Sequence, residues 1–108
     1  MITSPQNTKL KLVRSLQGRA KDRREAGAFL AEGVRLLEEA LAANWPFRFV
    51  LYNAQLSERG RALVEKLEGV DVEQVEDALF ESISETETSQ GILPSLNSPI
   101  SNYPLSNL

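Results

Sequence analysis

The sequence contains neither cysteine nor histidine. That excludes a disulfide framework, a thiolate nucleophile, a Cys/His zinc site and an imidazole general base. Long apolar runs are missing too: no stretch approaches the roughly 18 apolar residues of a membrane-spanning helix. The opening residues, Met1-Ile2-Thr3-Ser4-Pro5-Gln6-Asn7, lack the apolar core of a signal peptide, so a cytoplasmic location is the expectation. At 108 residues there is room for one domain, or for one domain and a tail. A barrel of the usual TIM size or a complete two-domain cofactor enzyme does not fit.

The net charge of -3 conceals an uneven distribution. Residues 1–35 carry +5, residues 36–93 carry -8, and residues 94–108 carry no charge. An acidic chain does not coat nucleic acid with its whole surface, but a local basic patch needs only one face to meet phosphates. On charge alone, such a patch and a solvated basic helix are both compatible with the first third of the chain.

Ser4 and Pro5 read as the N-cap and first residue of a helix whose stripe is Leu10, Leu12, Val13 and Leu16. Gly18 to Gly27 reads as a polar, basic connector, and Ala28 to Ala31 as a short buried strand. A second helix follows, with Val34, Leu36, Leu37, Ala40 and Leu41 inward, until Asn44-Trp45-Pro46 stops it. Phe47 to Tyr52 is the clearest strand, rich in aromatic and β-branched residues. A helix over 57–67, an alternating strand over 70–75, a short helix over 77–83 and a polar loop over 84–90 complete the pattern. Gly91-Ile92-Leu93 begins a last strand. This order predicts an α/β fold, a three-layer α/β/α sandwich around a small, mostly parallel sheet. Residues 1–93 form the expected domain. Residues 94–108, with Pro94, Pro99 and Pro104 five apart, form an irregular tail able to dock Leu96, Ile100, Tyr103 and Leu105 on the surface.

No catalytic or metal-binding constellation stands out. Glu38 and Glu39 are adjacent on a helix and point about 100° apart, a poor dyad. Glu73, Glu76 and Asp77 lack a calcium-loop pattern, and there is no phosphate loop or dinucleotide glycine motif. Phosphate binding is better supported: Lys9, Lys11, Arg14, Arg19, Lys21, Arg23 and Arg24 place seven cations within 16 residues. Asn7 and Gln90 could add hydrogen bonds to riboses or bases, with turn chemistry as the competing role. Phe29, Phe47 and Phe49 read as core, which argues against a stacking platform for single strands.

Several segments resemble one known family. Ser4-Pro5-Gln6-Asn7 with Lys9 and Lys11, then Arg23-Arg24-Glu25, then Phe29 to Ala40 (FLAEGVRLLEEA), are similar to the N-terminal substrate-binding domain of SpoU-type RNA 2'-O-ribose methyltransferases. Phe49 to Tyr52 and Ser84 to Leu93 follow in the same order, so the resemblance covers residues 2–93. It implies a fold like that of ribosomal proteins that bind kinked RNA. It also implies that the domain presents ribosomal or transfer RNA to a separate knotted catalytic domain, which binds S-adenosylmethionine. The implied RNA contacts are Lys9, Lys11, Arg14, Arg19, Lys21, Arg23 and Arg24, with Glu32-Gly33 and Gln90-Gly91 bordering the surface; Asn7 and Arg35 complete the expected RNA-binding set. After Leu93 the family pattern is interrupted by Pro94, and the asparagine-arginine motif and cofactor loop of the catalytic domain have no counterpart. The expectation is therefore a recognition domain that binds no cofactor of its own, no metal and no membrane. Two alternatives are a stand-alone RNA-structure binder and a module that docks on a separate methyltransferase chain.

Overall fold

The computed structural model describes residues 1–84 and 90–98. In chain order it contains α1 (Thr8–Leu16), α2 (Ala20–Ala26), β1 (Ala28–Leu30), α3 (Val34–Ala42), β2 (Phe47–Tyr52), α4 (Glu58–Glu65), β3 (Val72–Gln74), α5 (Asp77–Ile83) and β4 (Ile92–Asn97). The four strands form one sheet in the order β1-β4-β2-β3.

Side chains alternate across the central strands, as a pleated backbone requires. Phe49, Leu51 and Leu93 pack with Leu10 and Val13 of α1 and with Phe80 and Ile83 of α5. Val50 and Ile92 pack with Val34 and Leu37 of α3 and Leu63 of α4. The middle of β2 is buried on both sides, which is why its sequence is a nearly unbroken apolar run.

The expectation of a mostly parallel sheet is corrected. Of the four strands, only β2 and β3 pair in parallel, whereas β4 lies antiparallel to both β1 and β2. The cause lies in α5. A crossover to a parallel strand must carry the chain back along the sheet, about 20 Å for a six-residue strand. The seven residues of α5 rise only about 10 Å. Its first residue, Asp77, accepts a hydrogen bond from the amide of Ala54, just after β2. Ser84, just past its end, donates to Glu32, just after β1. Thus α5 runs along one end of the sheet rather than down it. The next strand starts at that same end and runs the opposite way, into the gap between β1 and β2.

Three further expectations change. The helix start expected at Ser4-Pro5 lies at Asn7, whose side-chain oxygen accepts from the Lys9 amide at 2.8 Å. Ser4 and Pro5 form a turn instead, with the Asn7 amide donating to the Ser4 carbonyl at 3.1 Å. Ile2 is pinned to β3 by hydrogen bonds to Gln74 and from Glu76, so the chain must turn before α1 can begin. The expected connector over 18–27 contains α2, closed by Gly27 in the left-handed conformation. Its alanines, arginines and glutamate favour helix, but none of its residues is buried, so it shows no apolar period. Finally, the boundary drawn at residue 93 falls inside β4, which continues through Pro94 to Asn97. The Pro94 carbonyl accepts from the Ala31 amide at 3.0 Å. The nitrogen of a strand residue points to the same side as its carbonyl. The missing N–H therefore faces Ala31, one residue beyond the end of β1, where the ladder stops. Residues 85–89 of the polar loop and 99–108 of the tail lie outside the described residues.

Candidate nucleic-acid interface

Strands β1, β2 and β3 point the same way, so their C-terminal ends and the start of β4 share one rim of the sheet. Glu32, Gly33, Gln90 and Gly91 meet there. The side-chain oxygen of Gln90 accepts from the amide of Val34 at 3.1 Å and so caps α3. Its amide nitrogen remains a donor. Ser84 donates to the Glu32 carboxylate at 3.0 Å. Gly91 accepts from the amide of Asn53 at 3.1 Å. Asn53 is only 4% exposed, and its side-chain oxygen accepts from the Gln55 amide at 3.0 Å. It is a residue of this rim that the sequence reading missed. Its one signal was an asparagine just after a strand, which also marks any turn.

The cations gather at the corner between α1 and α2. Arg23 donates to the carbonyls of Leu16 and Gly18, both at 3.1 Å, which satisfies the open C-terminal end of α1. Arg14 folds back to donate to Pro5 at 2.9 Å. The Arg19–Asp22 pair at 3.9 Å and the Lys21–Glu25 pair at 3.8 Å are loose and largely exposed, so they restrain these charges little. The side chains of Lys11 and Arg24 have no ion pair or hydrogen bond among the described residues. Within residues 10–26, Asp22 and Glu25 are the carboxylates set against Lys11, Arg14, Arg19, Lys21, Arg23 and Arg24, a surplus of four positive charges in that stretch. Gln17 donates to the carbonyl of Ile83. With the Ser84–Glu32 bond, this ties the basic corner to the rim.

Three residues proposed as contacts sit elsewhere or are otherwise engaged. Asn7 spends its side-chain oxygen on the cap of α1. Arg35 lies on the first turn of α3, near the rim and away from the α1–α2 corner, and pairs with Glu39 at 3.4 Å. Lys9 bridges Asp71 and Glu73, each at 2.7 Å, and clamps α1 to the β3 edge. Its charge is therefore spoken for within the domain. The hydrogen bonds to Asp71 and then Glu73 raise the Lys9 pKa above the ordinary 10.5. A raised value means that the clamp is fully present below the ordinary lysine pKa and is lost as pH rises through the folded-state value. Lys9→Met is expected to lose about 1 kcal/mol at neutral pH, held to that size by the exposure of both carboxylates. Urea denaturation should show the gap to the parent closing only above pH 10.5. A gap that persists unchanged at strongly alkaline pH contradicts the clamp.

Among the described residues no group of His, Cys, Asp or Glu could hold a metal ion. Among the described residues no helix is long and apolar enough to cross a membrane. The family model of the MRM3-like substrate binding domain matches residues 7–94. The chain belongs to that family. The SpoU resemblance carried by Phe29 to Ala40 and its neighbours is thereby shown. Among solved structures, this MRM3-like domain is similar to an RNA 2'-O ribose methyltransferase, with a TM-score of 0.77 and 26% identity over 96% of this chain and 39% of that one. It is similar to the SpoU methyltransferase AviRb from Streptomyces viridochromogenes, solved with AdoMet, with a TM-score of 0.73 and 25% identity over 86% of this chain and 34% of that one. It also matches the AdoMet-bound rRNA methyltransferase from Sinorhizobium meliloti, with a TM-score of 0.68 and 27% identity over 99% of this chain and 39% of that one. The chain thus spans 34% to 39% of the length of these enzymes. No curated protein sequence matches it.

Proposed function

We propose that this MRM3-like domain binds structured ribosomal or transfer RNA and presents it for 2'-O-ribose methylation. The observation that carries the reading is the surplus of positive charge at the α1–α2 corner, in a domain whose family binds substrate. Arginine forks and flexible lysines suit phosphate contacts. An RNA helix is read largely through its backbone and shape, and that requires no base-specific pocket. Lys11, Arg14, Arg19, Lys21, Arg23 and Arg24 meet phosphates. The rim of Gln90 and Asn53 borders the contact, and Arg35 lies at its edge. Helices on both faces of the sheet support a sandwich like that of ribosomal proteins that bind kinked RNA.

The methyl donor belongs to a separate catalytic domain. The groove of about 300 Å³ beside Trp45 is lined by apolar side chains, with Glu39 its charged residue. Apart from Glu39, those side chains offer no polar partners for the carboxylate, ribose and adenine of such a donor. Fluorescence anisotropy with labelled RNA tests the proposal. Binding is expected at micromolar concentration, stronger for a kinked internal loop than for a plain duplex, and weakening roughly 100-fold from about 50 to 200 mM salt. Salt-independent binding, or none, overturns it. Heat released on titrating S-adenosylmethionine into the chain would contradict the division of labour.

A further inference from the structure

We infer that the rim around Gly91 reads an unpaired base of the bound RNA, and that it selects keto bases over amino bases. This specificity, which rests on the RNA-binding reading above, comes from two carboxamides that lie against one glycine. Gln90 precedes Gly91 in the chain, and the Asn53 side-chain oxygen stands 2.6 Å from where a Cβ of Gly91 would be. Both side chains spend their oxygen inside the domain. Gln90 accepts from the Val34 amide at 3.1 Å, and Asn53 accepts from the Gln55 amide at 3.0 Å. A backbone N–H bonds only the oxygen of a carboxamide, so both orientations are fixed. Each side chain is left with its NH2 group, and neither group has a partner among the described residues.

The Asn53 donor is the telling one. The residue is 4% exposed, and an unused donor at such a position is costly unless something reaches it. The Ser95 hydroxyl is the one fully enclosed side-chain polar atom without a partner among the described residues, so the Asn53 nitrogen opens to the surface. Gln90 has φ of 60°, a left-handed conformation uncommon outside glycine, and strain of this kind gathers at binding sites. Next to the Gln90 cap, the space over Gly33 is open, with no atom within 4 Å of where a Cβ would stand.

The chemistry of the rim selects the ligand. Charge there is mixed: Asp77 accepts from the Ala54 amide and Arg61 donates to the Ala54 carbonyl at 3.4 Å, while the Glu32 carboxylate holds Ser84. A phosphate is therefore better placed at the α1–α2 corner, whereas a neutral carbonyl oxygen suits two NH2 groups. Guanine and uracil carry such an oxygen where adenine and cytosine carry an amino group. Facing the rim's donors, an amino group would go unpaired. Bases splayed from an RNA loop expose these edges.

Fluorescence anisotropy is measured with the full chain and one kinked RNA whose unpaired loop nucleotides are all cytidine, all uridine, all adenosine or all inosine. Cytidine to uridine and adenosine to inosine each exchange one amino group for an oxygen. The keto loop of each pair is expected to bind about fivefold more tightly. Gln90→Glu and Asn53→Asp keep the oxygen that accepts from Val34 or Gln55 and replace the donor by an acceptor. Each is expected to cancel or reverse the preference, because a carboxylate accepts from an exocyclic amino group. Added negative charge weakens all four RNAs alike and leaves their order untouched. If Asn53→Asp loses its circular dichroism, the exposed Gln90→Glu decides. Salt-dependent binding with equal affinity for all four loops overturns this specificity and leaves the RNA-binding reading standing. The parent's order kept in every folded variant overturns it as well. Absence of binding to all four overturns the RNA-binding reading and this specificity with it.

Discussion

Gly91→Ala is expected to cost about 3–4 kcal/mol of folding stability and to lower the melting temperature by roughly 15–25 °C. Gly91 has φ of 74°, a left-handed conformation that costs an L-residue about 1–2 kcal/mol. The larger effect is steric. A Cβ at this position would lie 2.6 Å from the side-chain oxygen of Asn53, 2.7 Å from the Leu56 nitrogen and 2.9 Å from the Leu56 Cα. Two of those three atoms are backbone and cannot swing aside. The turn from Asn53 to Leu56 would have to move, and with it the bonds from the Asn53 amide to Gly91 and from the Leu56 amide to Asn53. Gly69→Ala is the control. Its φ is 68°, but the space its new methyl would enter holds no atom within 4 Å, so only the conformational cost of about 1 kcal/mol is expected. Thermal and urea denaturation followed by circular dichroism measure both. Equal losses in the two variants would mean that the rim is not packed as described.

The second large effect concerns binding. Replacing Lys11 and Arg24 together by alanine is expected to weaken RNA binding about 50-fold at about 0.1 M salt, from two lost phosphate contacts. Stability should stay within about 0.5 kcal/mol of the parent, because neither side chain has a partner among the described residues. Lys9→Met should behave in the opposite way, with stability lower and affinity unchanged. The two variants together separate a charge offered to RNA from a charge used inside the domain, and anisotropy alongside denaturation reads both.

The contrast between Lys9 and Lys11 also shows how far the sequence could be read. Spacing on α1 puts both lysines in one basic run, and only the fold brings Asp71 and Glu73 to Lys9. Those two carboxylates are more than 60 residues away in the chain, and nothing local marks them as partners. Elements with a buried stripe were legible: α3 through Val34, Leu37 and Ala40, and β2 through its aromatic and β-branched run. Helix α2 was not, because it buries nothing and has no period to find. Pro94 misled for a different reason. Proline opposes strand pairing by removing one donor, and here that donor falls where β1 has already ended. The rim was visible as Glu32-Gly33 and Gln90-Gly91. That Gln90 caps α3, and that buried Asn53 completes the group, follows only from the antiparallel return of β4.

The most direct measurement is the slope of the logarithm of RNA affinity against the logarithm of salt concentration, for the parent chain and for Lys11→Ala/Arg24→Ala. Four uncompensated charges at the α1–α2 corner correspond to a parent slope of about -3 to -4, and loss of two contacts should make it shallower by about 2. A double variant with the parent's slope and affinity would contradict an RNA interface on α1 and α2.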